Sequence, residues 1–180
     1  MKEVQPIRDS VKLNEVRSIL RSQNERDFML FEMGINTGLR ITDLLSLRVG
    51  DVRDRDFYIL REKKTKKTKD IYIGHLQEDI AAYTEGMGDD VPLFPSRKGD
   101  AAISRQQAHK ILAAAGHKAA LEDIGCHSLR KTYGYHFYKK TKDVALLQDL
   151  FNHAAPSVTL RYIGINTDIR RKAMIDFGRI

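Results

Sequence analysis

Residues 57–73 read Phe57-Tyr58-Ile59-Leu60-Arg61-Glu62-Lys63-Lys64-Thr65-Lys66-Lys67-Thr68-Lys69-Asp70-Ile71-Tyr72-Ile73. Phe57 to Leu60 and Ile71 to Ile73 are runs of β-branched, aromatic and aliphatic residues. The basic stretch between them reads as the turn of a hairpin or small sheet. On either side of this segment the apolar residues recur with helical spacing. Leu13, Val16 and Leu20 mark a helix over about 11–22, and Phe28, Phe31 and Ile35 mark one over about 25–36. The second stops at Thr37-Gly38, a C-terminal glycine signal. A short helix fits 41–47, and Leu76, Ile80, Tyr83 and Met87 share a face over 75–87. Gly88 to Asp100, with Pro92 and Pro95, reads as a loop. Further helices are expected at about 103–115, 117–123, 128–139, 143–152, 157–163 and 167–177. The fold class is therefore mainly α with a small antiparallel β-hairpin (α+β). It lacks the βαβ alternation and the glycine fingerprints of Rossmann and P-loop proteins.

The chain has 180 residues, 42% hydrophobic and 31% charged, which fits one globular domain with one sizeable core. No apolar run approaches the roughly 18 residues of a membrane span, and MKEVQPIRDS lacks the apolar centre of a signal peptide. Cys126 is the single cysteine, so a disulfide framework and a cysteine-based zinc site are excluded. A cytoplasmic protein without membrane association is expected. The net charge of +7 favours a polyanionic partner, nucleic acid first.

The polar residues of the C-terminal half are unusually placed. Cys126-His127-Ser128-Leu129-Arg130 sets a histidine and an arginine three apart, on one face of a helix. Leu150-Phe151-Asn152-His153 ends an apolar helix in a polar pair, and Tyr162 follows nine residues after His153. Arg40, after Thr37-Gly38-Leu39, stands at the first turn of a helix, where a cation is unfavourable unless an anion is nearby. Arginines, histidines, a lysine and a tyrosine together suit phosphoryl transfer at a diester. Guanidinium forks match the nonbridging oxygens, and a tyrosine can attack covalently.

Thr37-Gly38-Leu39-Arg40-Ile41-Thr42-Asp43-Leu44-Leu45, His127-Ser128-Leu129-Arg130-Lys131-Thr132 and Asn152-His153 with Arg161-Tyr162 resemble the signature boxes of the tyrosine recombinase (phage integrase) family, in its order and spacing. The resemblance implies that family's catalytic-domain fold, DNA cutting and rejoining on double-stranded DNA, and no metal or cofactor. It implies that Arg40 and Arg130 clamp the scissile phosphate and that Lys64 protonates the 5′-hydroxyl leaving group, with Lys66 and Lys67 as alternatives. His127 would be the acid/base partner and His153 a hydrogen-bond donor to a phosphate oxygen. Tyr162 would form a 3′-phosphotyrosyl ester, and Asp43 would support the first arginine. Lys63, Lys66, Lys67 and Lys131 are expected to contact DNA, with Arg61 and Arg105 added on charge alone.

Asn152 stands where the family commonly has glycine, and asparagine tolerates left-handed backbone angles. The family's N-terminal core-binding domain is missing ahead of residue 9, which fits an excised domain or a native short form. Residues 9–166 are expected to be the catalytic core and 167–180 a C-terminal helix. Ile169, Ala173, Met174 and Phe177 give that helix an apolar face, docked on a second protomer on DNA or on its own domain. Two other functions stay open: a topoisomerase IB or resolvase-like strand transferase, and a catalytically silent DNA-binding accessory.

Overall fold

The computed structural model describes residues 4–61 and 68–179. The basic turn, with Lys63, Lys64, Lys66 and Lys67, lies outside the described residues. Helices α1 (Ser10–Gln23) and α2 (Glu25–Thr37) form an antiparallel pair, each with a side-chain cap. Asp9 accepts from the Val11 N–H at 2.7 Å, and Asn24 accepts from the Arg26 N–H at 2.9 Å. Such caps satisfy backbone donors that the first helical turn leaves open. Two short helices follow, α3 (Ile41–Leu44) and α4 (Val49–Val52). Strands β1 (Phe57–Arg61) and β2 (Thr68–Tyr72) then pair antiparallel, with Phe57 opposite Tyr72 and Arg61 opposite Thr68. A 3-10 turn at Gly74–Leu76 leads into α5 (Gln77–Thr84), and a loop leads on to α6 (Arg105–Lys118). The C-terminal half is helical: α7 (Cys126–Thr141), α8 (Val144–Phe151), α9 (Pro156–Tyr162) and α10 (Ile165–Phe177). The expected mainly α architecture with one antiparallel hairpin is the observed one.

Two local expectations need correction, and one short helix, α4, was not expected. No helix spans 117–123: α6 runs on to Lys118, and Ala120 and Asp123 take positive φ angles of 53° and 58°. That turn brings Ile124 back onto Gly116 of α6. Helix α4 has too few residues to show a period, and the Asp51 side chain fixes its start by accepting from the Arg48 N–H at 2.8 Å. Helix α7 begins at Cys126, because the Ser128 hydroxyl reaches back to the Gly125 N–H at 3.2 Å.

The core has two parts. The larger gathers Leu20, Leu30, Phe31, Met33, Leu44, Ile73, Ile80, Phe94 and Leu112 around α2, which is buried on nearly every side. Polar groups on α2 are compensated, as burial requires: Glu32 pairs with Arg17 at 2.6 Å and Arg26 with Asp27 at 2.7 Å. The smaller part consists of Tyr135, Leu147, Phe151, Ile163 and Ile165. Helix α7 serves both, with Cys126 and Leu129 in the large cluster and Tyr135 in the small one. Gly134 permits the close approach: a Cβ there would lie 2.7 Å from Ile163 Cγ2 and 2.8 Å from Phe151 Cε2. Among the described residues, no helix is long and apolar enough to cross a membrane.

Candidate active site

The boxes identified in the sequence converge on one cavity of about 280 Å³, lined by Arg40, Arg105, Cys126, His127, Arg130, His153 and Tyr162 together with Ile41 and Thr42. These side chains come from the α3 start, the α6 start, the first turns of α7, the segment after α8 and the end of α9. Only the tertiary fold brings them together.

Arg40 is exposed and caps α3 without a side-chain hydrogen bond to the helix. Arg130 is buried, 7% exposed, and its guanidinium is fully oriented. Nη1 donates to the Gly38 carbonyl at 2.5 Å and Nη2 to the Phe151 carbonyl at 2.9 Å, and the plane lies 4.0 Å from the Phe151 ring centroid. Burial, then the positive charge of Arg40, lowers its pKa to about 10, so it remains a cation at neutral pH. Gly38 makes this possible with φ of 64°, and a Cβ there would meet the Tyr133 ring at 2.4 Å. Asp43, three residues after Arg40 in α3, does not line the cavity, but its charge favours the Arg130 cation.

His127 is on the second residue of α7 and faces the same cavity as Arg130, as their spacing predicts. Burial, then Arg105, Lys131 and Arg130, lowers its pKa below the ordinary histidine value. His153 follows Asn152, which ends α8 with φ of 52° and ψ of 47°, the left-handed conformation expected of it. Its Nδ1 lies 3.0 Å from Thr159 Oγ1. Burial, then Arg130 and Arg40, lowers its pKa too.

Tyr162 is the last residue of α9 and is half-buried. The ring meets His153 at 5.1 Å and 71°, and Phe151 at 5.8 Å and 86°. Burial raises its pKa, while Arg130 and then Arg40 pull it back down. The phenol is therefore protonated at rest, beside the two cations best placed to stabilise a developing phenolate.

Lys131 is only 4% exposed, with Nζ 5.2 Å from the Tyr162 ring centroid, so it faces the tyrosine. Two contributors were not singled out from the sequence. Phe151 supports Arg130, His153 and Tyr162 at once, and Thr159 contacts His153. The spacing of Thr159 and Tyr162, one helical turn apart, was the available signal. Tyr133, Tyr135 and Tyr138 pack in or against the small core, as structural residues should. His136 contacts the Ile7 carbonyl at 2.9 Å.

The chain is similar to known proteins in fold and in sequence. The crystal structure of XerA recombinase superposes with a TM-score of 0.76 at 18% identity, covering 100% of this chain and 66% of that one. The XerH site-specific recombinase bound to difH substrate, in a pre-cleavage complex, gives 0.71 at 20% identity, covering 89% of this chain and 51% of that one. The fold is thus that of tyrosine recombinase catalytic domains. In sequence, the chain is 48% identical over 176 residues to Probable integrase/recombinase YoeC of Bacillus subtilis (strain 168), with 97% of each covered. It is 25% identical over 169 residues to Tyrosine recombinase XerC of Thermodesulfovibrio yellowstonii, covering 88% of this chain and 56% of that protein. The Phage integrase family profile matches residues 9–168, and the chain belongs to that family.

Proposed function

We propose that this protein cuts and rejoins double-stranded DNA through a 3′-phosphotyrosyl ester at Tyr162. The observation that carries this reading is the shared cavity: Arg40, His127, Arg130, His153 and Tyr162 line the same 280 Å³. Arg40 and Arg130 hold the nonbridging oxygens of the scissile phosphate, where negative charge grows in the transition state. His153 donates to one of those oxygens. The Tyr162 Oη attacks phosphorus, and His127, neutral at pH 7, takes the phenolic proton. The bond between phosphorus and the 5′ oxygen breaks, and Lys64 protonates that departing oxygen. Rejoining reverses the sequence, with the 5′-hydroxyl attacking and tyrosine leaving. The energy of the diester is kept in the tyrosyl ester.

Residues 9–166 are the catalytic core in this reading, and the turn lysines Lys63, Lys66 and Lys67 contact the DNA backbone. The DNA-bound neighbour of the same fold supports duplex DNA as the partner, and a cytoplasmic location follows from that partner. The C-terminal helix is the candidate for self-association on DNA. Met174, Ile175 and Phe177 are 74%, 77% and 71% exposed, while the side chains of Ile169 and Ala173 lie outside the described set.

The test is trapping on a pool of nicked duplexes of randomised sequence, in which the short released piece that bears the free 5′-hydroxyl diffuses away. Wild-type protein should accumulate a covalent protein–DNA adduct, and Tyr162→Phe should give none while retaining DNA binding. An undiminished adduct from Tyr162→Phe would overturn the assignment.

A further inference from the structure

Thr159 is completely buried at 0% exposure, and its Oγ1 lies 3.0 Å from Nδ1 of His153. A hydrogen bond between a hydroxyl and a neutral imidazole can run in either direction, and the direction sets what the other ring nitrogen presents. If Nδ1 carried the proton, Nε2 would present a lone pair, and the hydroxyl proton of Thr159 would need a different acceptor. The usual one in a helix is the carbonyl four residues earlier. Thr37, Thr84 and Thr141 bond in that way to Met33, Ile80 and Phe137 at 2.5, 2.7 and 2.9 Å. Thr159 does not do so with Ala155; among the described residues its hydroxyl bonds to His153 alone. A buried hydroxyl proton left without an acceptor is costly. The hydroxyl must therefore donate to Nδ1, and the imidazole proton resides on Nε2.

We propose that Thr159 is a positioning residue that holds His153 in the Nε2–H tautomer, so that the histidine offers the cavity a hydrogen-bond donor. The ring is also fixed in place, meeting Phe151 at 5.4 Å and 72° and Tyr162 at 5.1 Å and 71°. Its lowered pKa keeps the ring neutral near pH 7, so that one tautomer is defined. This inference rests on the proposed function only for the identity of the acceptor. A donor suits a phosphate oxygen, whereas a lone pair would repel it. It also removes His153 as a base for Tyr162 and leaves that task to His127. Because Thr159 and Tyr162 are one turn apart on α9, a displacement of the nucleophile helix would also release the histidine.

Two-bond proton–nitrogen correlation spectra of the 15N-labelled chain at neutral pH test this without DNA. The His153 signals are identified by their loss in His153→Gln. Wild type and Thr159→Ser should show a protonated Nε2 and an unprotonated Nδ1. Thr159→Val, which keeps the shape but lacks the hydroxyl, should shift towards the other tautomer. Thr159→Ala replaces it where the valine variant does not fold. Adduct formation on the randomised nicked pool should fall roughly tenfold in the hydroxyl-less variant and recover in Thr159→Ser. A wild-type His153 protonated on Nδ1, or an unchanged pattern without the hydroxyl, would overturn the proposal. The spectra stand apart from DNA cleavage: a chain that never forms an adduct would still display the tautomer.

Discussion

The two walls of the cavity rest on different foundations. Arg40 and Arg130 are carried by elements packed on the large core around α2, whereas His153 and Tyr162 sit on the small cluster of Tyr135, Leu147, Phe151, Ile163 and Ile165. The proposed phosphate clamp is therefore carried by elements anchored in the larger core, although the Arg40 side chain itself is exposed. Tyr162, the proposed nucleophile, stands on a short helix with few buried neighbours. Local opening free energies follow buried apolar contact, so the nucleophile wall is the part that can move while the clamp stays in place. Arg130 links the two walls, since one of its carbonyl acceptors, Gly38, follows α2 and the other, Phe151, ends α8.

The largest effect belongs to Arg130. Arg130→Ala leaves the buried carbonyls of Gly38 and Phe151 without donors and empties a packed site. A loss of about 2–5 kcal/mol of stability is expected, read from denaturant melts, together with loss of adduct formation. Arg130→Lys should not rescue it, because an ammonium cannot span both carbonyls as a fork. Arg40→Ala provides the contrast within the same wall. Its exposed side chain makes no cap bond, so stability should change by less than about 0.5 kcal/mol, while adduct formation falls by about a hundredfold or more. Equal destabilisation by both variants would remove the distinction between a clamp residue that also joins the walls and one that does not.

Gly134→Ala tests the nucleophile wall. The added methyl would press on Ile163 and Phe151, costing about 1–3 kcal/mol, and should reduce adduct formation while leaving the amides of α2 protected. Hydrogen exchange checks the comparison in the wild type: α2 amides should exchange only through global unfolding, and those of α8 and α9 through smaller openings. Equal protection in both regions would contradict it.

The smallest effect is on pH dependence. The pKa values of His127 and His153 are lowered in the folded state. Below the unfolded value of about 6.5, the unfolded chain therefore binds more protons, and stability falls on acidification. Melting temperature should decline from about pH 6.5 downward, less steeply in His127→Gln/His153→Gln. An equally steep decline in the double variant would show that other groups set it.

Much of this was legible in the sequence for identifiable reasons. The hairpin was visible because Phe57–Leu60 and Ile71–Tyr72 break the helical period, and the long helices because their buried stripes recur with it. The Asn152 conformation was also legible, since few side chains accept left-handed angles. What escaped depended on tertiary contact. The end of α6 is set by Ile124 docking on Gly116 and not by a local signal. Lys131 looks like a surface cation beside Arg130, yet it is buried with its Nζ near the Tyr162 ring. Phe151 reads as one more apolar helix residue, yet it supports the arginine, the histidine and the tyrosine.

The central claim is that Tyr162, and no other tyrosine near the cavity, becomes joined to DNA. Adduct formed on the randomised nicked pool can be digested with a protease and its nucleotide-bearing peptide sequenced by mass spectrometry. The modified residue should be Tyr162. A nucleotide on Tyr133, Tyr135 or Tyr138, or an adduct that persists in Tyr162→Phe, would contradict the account.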